Sequence, residues 1–319
     1  MDRSRTPSPP RSIIPLPASV LLFIALVCPA VAVDRFPVSV MDDRGVTVRL
    51  AAPPRRVVSL APSLTEIVFL LGRQELLAGV TRYCNFPPAA ADLPKVGGVS
   101  DPDVERILAL SPDLVLCTTD GNPREKVGAL EEMGIPCFAA APQDLEAVFG
   151  TVERLGTLLG AAERGRGEAA ALRRRAARAI DAARGSGNGT PRVLFTVSTS
   201  PVIAAGSGTF MDELIRAAGG TNVAAGYAGR YPRLSAESLV ASRPDVVFVA
   251  GMTGSERLPE EWTRWKEVPA FRDGTVRTLD GDVATRPGPR LVSALEQLCA
   301  ALAAWREGRA GAPARGDSR

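Results

Sequence analysis

The chain has 319 residues and not one of them is histidine. Without imidazole there is no Ser-His-Asp or Cys-His catalysis, no HExxH zinc site and no His-ligated haem. Cysteine is scarce at five residues, and none of the spacings is CxxC or another metal-ligand pattern. An excess of either charge is missing too: 38 Lys and Arg stand against 35 Asp and Glu, a net +3 that is too small to indicate a nucleic-acid or anionic-membrane partner. Aromatic residues make up only 5% of the chain. No long apolar run is unbroken either, because the stretch from Ile13 to Ala32 contains Pro15, Pro17 and Pro29. It barely reaches the roughly 20 apolar residues that a membrane span requires.

At 45% hydrophobic and 23% charged, the composition is that of a globular protein. Its length favours two domains of roughly 100–150 residues. The N-terminus carries Arg3, Arg5 and Arg11 against Asp2, then the apolar stretch, then Ala30-Val31-Ala32 before Val33. That is the order of a signal peptide, residues 1–32, removed on export to an envelope compartment. A lipid anchor at Cys28 is the weaker reading, since Val27 stands where a small residue is expected. Removing three Arg and one Asp leaves 35 basic and 34 acidic residues, a mature charge near neutrality. Export permits disulfides among Cys84, Cys117, Cys137 and Cys299. Cys117 ends DLVLC and Cys137 lies in IPCFAA; on neighbouring parallel strands the two thiols could approach, or each could be a separate buried hydrophobe.

Along the mature chain, Val38–Val40 and Val46–Val48 flank Asp42-Asp43-Arg44-Gly45 as a β-hairpin. A strand at 56–60 precedes Ser63 and Glu66, which have the S-x-x-E spacing of a capping box, and Gly72 stops the helix that follows. Asp101-Pro102 starts another helix, followed by strand 114–117, a helix near 124–133 and a strand at 135–139. From Asp144 to about Arg184 no strand signal occurs. There, Arg173, Arg174, Arg175 and Arg178 could bind anions, but Ala and Leu at helical spacing favour a long solvated helix. A strand at 192–196 then restarts the alternation. Such alternation means parallel sheet with helical crossovers.

An internal repeat divides the chain. Glu105-Arg106-Ile107-Leu108-Ala109 leads to Pro112-Asp113-Leu114-Val115-Leu116, and 132 positions later Glu237-Ser238-Leu239-Val240-Ala241 leads to Pro244-Asp245-Val246-Val247-Phe248. Each Glu sits near a helix N-terminus, where the macrodipole alone favours a carboxylate. At matched positions of two lobes the same residues would also form a pair of acidic knobs complementary to a basic partner. Both readings stand on the residues alone.

Segments 56–72, 81–88, 101–116, 208–223, 234–251 and 265–282, taken in order, resemble the periplasmic substrate-binding proteins of ABC importers. The type resembled is the cobalamin binder, in a class that also carries ferric siderophores and haem. The likeness spans roughly residues 36–305 and implies an α/β fold of two lobes, each with a mainly parallel sheet flanked by helices, joined by a long rigid helix. The corresponding divisions are an N-terminal lobe at 33–160, a connecting helix at 161–190, a C-terminal lobe at 191–307 and a disordered tail at 308–319. It further implies a monomer without cofactor that holds a corrinoid or iron chelate between its lobes and delivers it to a permease dimer. Residue by residue, Glu105 and Glu237 match the glutamates that dock on the permease. Tyr83 matches a ring-stacking tyrosine, Tyr231 an aromatic of the second lobe, and Asp282 and Arg286 polar residues that contact the ligand's periphery. Where further aromatics are expected the chain has Val99, Thr118 and Ile203, and Ala218 stands where a partner for Cys299 is expected. Haem would require Tyr83 or Tyr231 as iron ligand. Catalysis is disfavoured, since Ser59, Ser63 and Thr65 have no identifiable base.

Overall fold

The computed structural model describes residues 36–251, 262 and 265–310. The signal-peptide region, including Cys28, lies outside them. The chain opens with the expected hairpin: β1 (Val38–Met41) pairs antiparallel with β2 (Thr47–Leu50), and Gly45 takes the positive φ the turn requires. Four parallel strands then form a sheet in the order β4-β3-β5-β6: β3 (Val57–Ser59), β4 (Leu77–Val80), β5 (Leu114–Thr118) and β6 (Cys137–Ala140). The helices α1 (Pro62–Leu70), α2 (Val104–Ala109) and α3 (Arg124–Glu132) alternate with these strands. Val57, Val58, Leu114, Val115, Leu116 and Phe138 are fully buried, as near-continuous apolar strands must be when helices cover both faces.

The strandless middle is two helices, α4 (Leu145–Leu158) and α5 (Ala162–Gly185), not one. Asp144 caps α4 by accepting from the Ala147 N–H at 2.7 Å, and Gly160 adopts positive φ in the turn between the helices. The two pack closely because neither Gly156 nor Gly165 has a side chain; a Cβ on either would lie about 3 Å from the other's Cα. The arginine cluster on α5 is partly absorbed by this packing. Arg173 bonds Glu153 at 2.6 Å and also Glu146 on α4, while Arg175 bonds Glu296 at 2.8 Å.

The second sheet runs in the order β11-β10-β7-β8, with β9 beside β7: β7 (Arg192–Thr199), β8 (Val202–Ala204), β9 (Thr221–Asn222), β10 (Val246–Gly251) and β11 (Val276–Asp280). All pairs are parallel except β7 with β8. Around it lie α6 (Phe210–Ala217), α7 (Ala236–Ser242), the short α8 (Pro269–Arg272) and α9 (Gly281–Ala284), and α10 (Leu291–Ala310). Phe195 on β7 sits opposite Phe248 on β10 with ring centroids 6.1 Å apart, worth about 0.5–1.5 kcal/mol beyond burial. The final helix runs three residues into the stretch assigned from sequence to the tail; residues 311–319 lie outside the described set. Among the described residues no helix is long and apolar enough to cross a membrane.

Two local expectations are corrected. Ser63 and Glu66 do not form a capping box: α1 is preceded by Ala61 without any side-chain cap, Pro62 opens it, and both Ser63 and Glu66 are buried. The next helix starts at Val104 rather than Pro102, because it is the Asp103 side chain that accepts from the Arg106 N–H. The four cysteines among the described residues carry free thiols and are buried. Although Cys117 and Cys137 lie on adjacent strands, Cys117 pairs with Ala139 in the ladder and Cys137 with Val115. Burial pushes the Cys117 thiol up to about 12 and the Cys299 thiol to about 11, which keeps both neutral and unreactive.

Candidate functional site

In parallel sheets the ligand site forms beyond the carboxyl ends of the strands, where successive loops converge. Tyr83 lies three residues past β4, Thr118 ends β5, and Asp282 lies two residues past β11. The carboxyl-edge loops of the two sheets meet through side chains nearly 200 residues apart. Asn85 donates its Nδ2–H to Asp282 Oδ2 at 2.7 Å and accepts from Arg286 Nη1 at 2.9 Å on its own Oδ1. Arg286 closes the triangle at 2.6 Å from Asp282, four residues away. The Asp280 carboxylate caps the short α9 by accepting from the Asp282 N–H, and Arg286 reaches Asp282 from the loop just past that helix's end at Ala284.

Beneath this triangle lies an ion pair absent from the sequence-based site. Glu66 of α1, its side chain only 3% exposed, accepts from Arg290 at 3.0 Å (Nε) and 2.6 Å (Nη2). Arg286 approaches the same carboxylate at 3.9 Å. Burial raises the Glu66 carboxyl above its ordinary value, with Arg290 and then Arg286 pulling the other way. Burial alone would lower the Arg290 guanidinium, yet its bonds to Glu66 leave it above its usual value. The Arg290 guanidinium also stacks over the Phe86 ring, 4.2 Å from the centroid. A signal for Glu66 did exist: it is the only charged residue between Arg56 and Arg73, and a lone carboxylate in so apolar a helix needs a cation when it is buried. Nothing local to Glu66 says which cation that is.

Tyr83 is 51% exposed, flanked by Arg82, which pairs with Asp101 at 2.9 Å, and by the 97–101 loop. Phe86 is exposed as well, at 42%. Buried Asn122 braces this edge. Its Nδ2 donates to the carbonyls of Val99 and Leu60 at 2.8 and 3.1 Å, and its Oδ1 accepts from the Thr118 N–H at 2.7 Å. Tyr231 is 54% exposed on a different loop, held to the second sheet where Ala204 N–H donates to Pro232 O and Gly206 N–H to Arg230 O. No described hydrogen bond links Tyr231 to the Asn85–Asp282–Arg286 triangle. Ser59, Ser63 and Thr65 are all buried, with Thr65 Oγ1 2.9 Å from Ser59 Oγ, so none is presented at the surface.

The repeat is reproduced as a shared wiring scheme. Asp103 caps α2 and Ser235 caps α7, each accepting at 3.1 Å from the N–H three residues on. Glu105 and Glu237 are each the second residue of their helix and are exposed. Ser111 and Arg243 end the two units with φ of 46° and 41°. Arg56 Nε donates to Leu110 O, as Arg192 Nε does to Ser242 O, and Asp113 and Asp245 accept from the N–H of Arg56 and of Arg192. A helix that precedes a parallel strand begins at the sheet's carboxyl edge. Both glutamates therefore stand on the edges that carry the Asn85–Asp282–Arg286 contact.

Comparison with known proteins decides the family. The model for the periplasmic binding protein family matches residues 57–283. The chain belongs to that family. A vitamin B12-binding protein of Vibrio parahaemolyticus is 31% identical over 250 residues, covering 77% of this chain and 89% of the relative. Among solved structures, the periplasmic vitamin B12 binding protein of Vibrio cholerae superposes with a TM-score of 0.72 at 27% identity, covering 80% of this chain and 99% of that one. The periplasmic haem-binding protein of Roseiflexus sp. RS-1 in its apo form gives 0.69 at 32% identity, over 79% and 99% of the two chains. The α/β architecture of two sheets with a linking helical segment is the one the sequence led us to expect.

Proposed function

We propose that this member of the periplasmic binding protein family is exported with cleavage of residues 1–32, binds a corrinoid between its two sheets as a monomer without cofactor, and hands it to the permease dimer of an ABC importer. The observation that carries the ligand-binding part is the meeting of the 83–87 and 282–290 loops at the carboxyl edges of both sheets. This edge presents the half-exposed Tyr83 face alongside a carboxylate and a guanidinium. A large flat ligand with amide and phosphate edges needs that mixture: an aromatic surface for area, Asp282 to accept from amide N–H groups, and Arg286 to donate to phosphate or carbonyl oxygens. The relatives named for vitamin B12 support the corrinoid. Glu105 and Glu237 serve the second half of the task as exposed acidic knobs at equivalent points of the two repeats, complementary to basic pockets on a permease.

Haem is the second reading within the class, with ferric siderophores beside it. It is favoured by the exposed phenols of Tyr83 and Tyr231, which could ligate iron in a chain without histidine, and by the haem-binding name of the Roseiflexus relative. Parallel calorimetric titrations with cyanocobalamin, haemin and a ferric siderophore separate the readings. On the corrinoid reading, Tyr83→Ala weakens cyanocobalamin binding by about 1–3 kcal/mol, the worth of a stacked ring on a desolvated ligand face. An affinity unchanged by that substitution would remove Tyr83 from the contacts.

A further inference from the structure

Glu66 and Arg290 sit 224 positions apart and join the helix that follows β3 of the first sheet to the start of α10, which packs on the second. We propose that this ion pair is a latch between the two halves, which fixes the separation of their carboxyl edges and, through the shared carboxylate, holds Arg286 in its ligand-facing orientation. The two are positioning residues rather than ligand contacts. The second part rests on Arg286 being a ligand contact; the first part does not.

The packing around the pair is what a latch requires. Glu66 is the sole charged side chain of α1, and taking it from water is costly unless a cation accompanies it. The two-pronged contact by Arg290 supplies that cation in a fixed orientation. The other face of the Arg290 guanidinium rests on Phe86, so one side chain from the second half grips both α1 and the 83–87 turn of the first. The backbone seats itself beside it. Gly288 lies against the first turn of α1, where a Cβ would stand 3.1 Å from Ser63 Cβ and 3.2 Å from Ser63 Cα. The buried Ser63, read from sequence as a cap, is the floor on which the 286–290 segment rests.

Charge balance links the latch to the ligand site. Glu66, Asp282, Arg286 and Arg290 form a group of two carboxylates and two guanidiniums, with Arg286 lying between the carboxylates at 3.9 and 2.6 Å. When a ligand draws on Arg286 or Asp282, the Glu66–Arg290 pair still neutralises itself. Neutralising Glu66 leaves Arg290 with only the more distant Asp280 and Asp282 carboxylates, and Arg286 loses the anchor on its inner side.

The test has two arms. In the ligand-free protein, spin labels on a Glu105→Cys/Glu237→Cys pair, one on each repeat unit, report the separation by double electron–electron resonance; the native thiols are buried. The otherwise native chain gives one narrow distance distribution, and Glu66→Gln broadens or lengthens it. A Glu66→Gln distribution superimposable on the native one overturns the latch. Should Glu66→Gln fail to fold, Arg290→Gln is read in the same way. In the second arm, Glu66→Gln lowers cyanocobalamin affinity about tenfold in the native background and less than twofold in Arg286→Ala, because coupled residues are not additive. Equal losses in both backgrounds overturn the positioning role. Failure of the native chain to bind cyanocobalamin would strike the functional reading alone, and the distance arm would still decide the latch.

Discussion

Reversing both acidic knobs, Glu105→Arg with Glu237→Arg, abolishes ligand uptake by cells while the purified protein keeps its ligand affinity within about twofold. The split follows from placement. Both residues are exposed on the first turns of short helices, outside the Asn85–Asp282–Arg286 triangle, so neither reversal disturbs that constellation. Helix stability changes little: removing a carboxylate from a first turn and adding a cation costs about 0.3–1 kcal/mol per site. Recognition changes a great deal, since like charges juxtaposed at an interface cost several kcal/mol and two are introduced together. Single reversals should give intermediate uptake. Uptake that survives the double reversal would reduce both glutamates to helix-terminal charges.

Arg306→Met should destabilise the fold by about 3–5 kcal/mol in denaturant unfolding. Arg306 is only 3% exposed and bonds no carboxylate among its described partners. Its guanidinium instead donates to four backbone carbonyls: Ala183 at 2.6 Å, Gly219 at 2.8 Å, Gly189 at 3.0 Å and Ala218 at 3.2 Å. These carbonyls belong to the ends of α5 and α6 and the turn that follows α5, which are acceptors that lack partners within their own helices. Burial holds the guanidinium below its ordinary value. Methionine fills similar volume but donates to none of the four carbonyls, of which Ala183 O keeps the Ser186 hydroxyl at 2.8 Å. The tie matters because Ala218 stands where the resemblance implies a cysteine to pair with Cys299. Here α10 is fastened to the end of α6 by an arginine, not a disulfide. A loss below about 1 kcal/mol would mean that water serves those carbonyls equally well.

The parts of this molecule legible in its sequence are those with a local cause. The hairpin at 38–50, the strands at 57 and 114, and the stop at Gly72 all depend on neighbours within a few residues. The 132-residue repeat survives as matched bonds at Leu110 and Ser242, whereas Asp282 and Arg286 are implied only by the family resemblance, the short α9 ending at Ala284 before Arg286. Where two local causes compete, the reading fails. Ser63 and Glu66 have the spacing of a capping box, but Pro62 already opens the helix and burial claims both side chains for packing against the 286–290 segment. The strandless middle has one helical composition throughout, and only the turn at Gly160 separates α4 from α5. Strands β8 and β9, of three and two residues, are too short to carry a period. Least legible are contacts such as Glu66 with Arg290 and Asn85 with Asp282, because an ion pair spanning some 200 residues leaves no periodic trace in the chain.

The sparseness of aromatics bears on the ligand. Val99 and Thr118 flank the Asn122 brace with small side chains, which leaves the first sheet's edge to Tyr83 and Phe86 for stacking surface. A site of that kind must draw more of its affinity from polar anchors, and thus from Arg286 and the residues that hold it. Calorimetric titration of purified residues 33–319 with cyanocobalamin, alongside haemin, tests this most directly. Saturable one-to-one heat with cyanocobalamin is expected, sharply weakened by Arg286→Ala. Saturable heat with haemin and none with cyanocobalamin would contradict it.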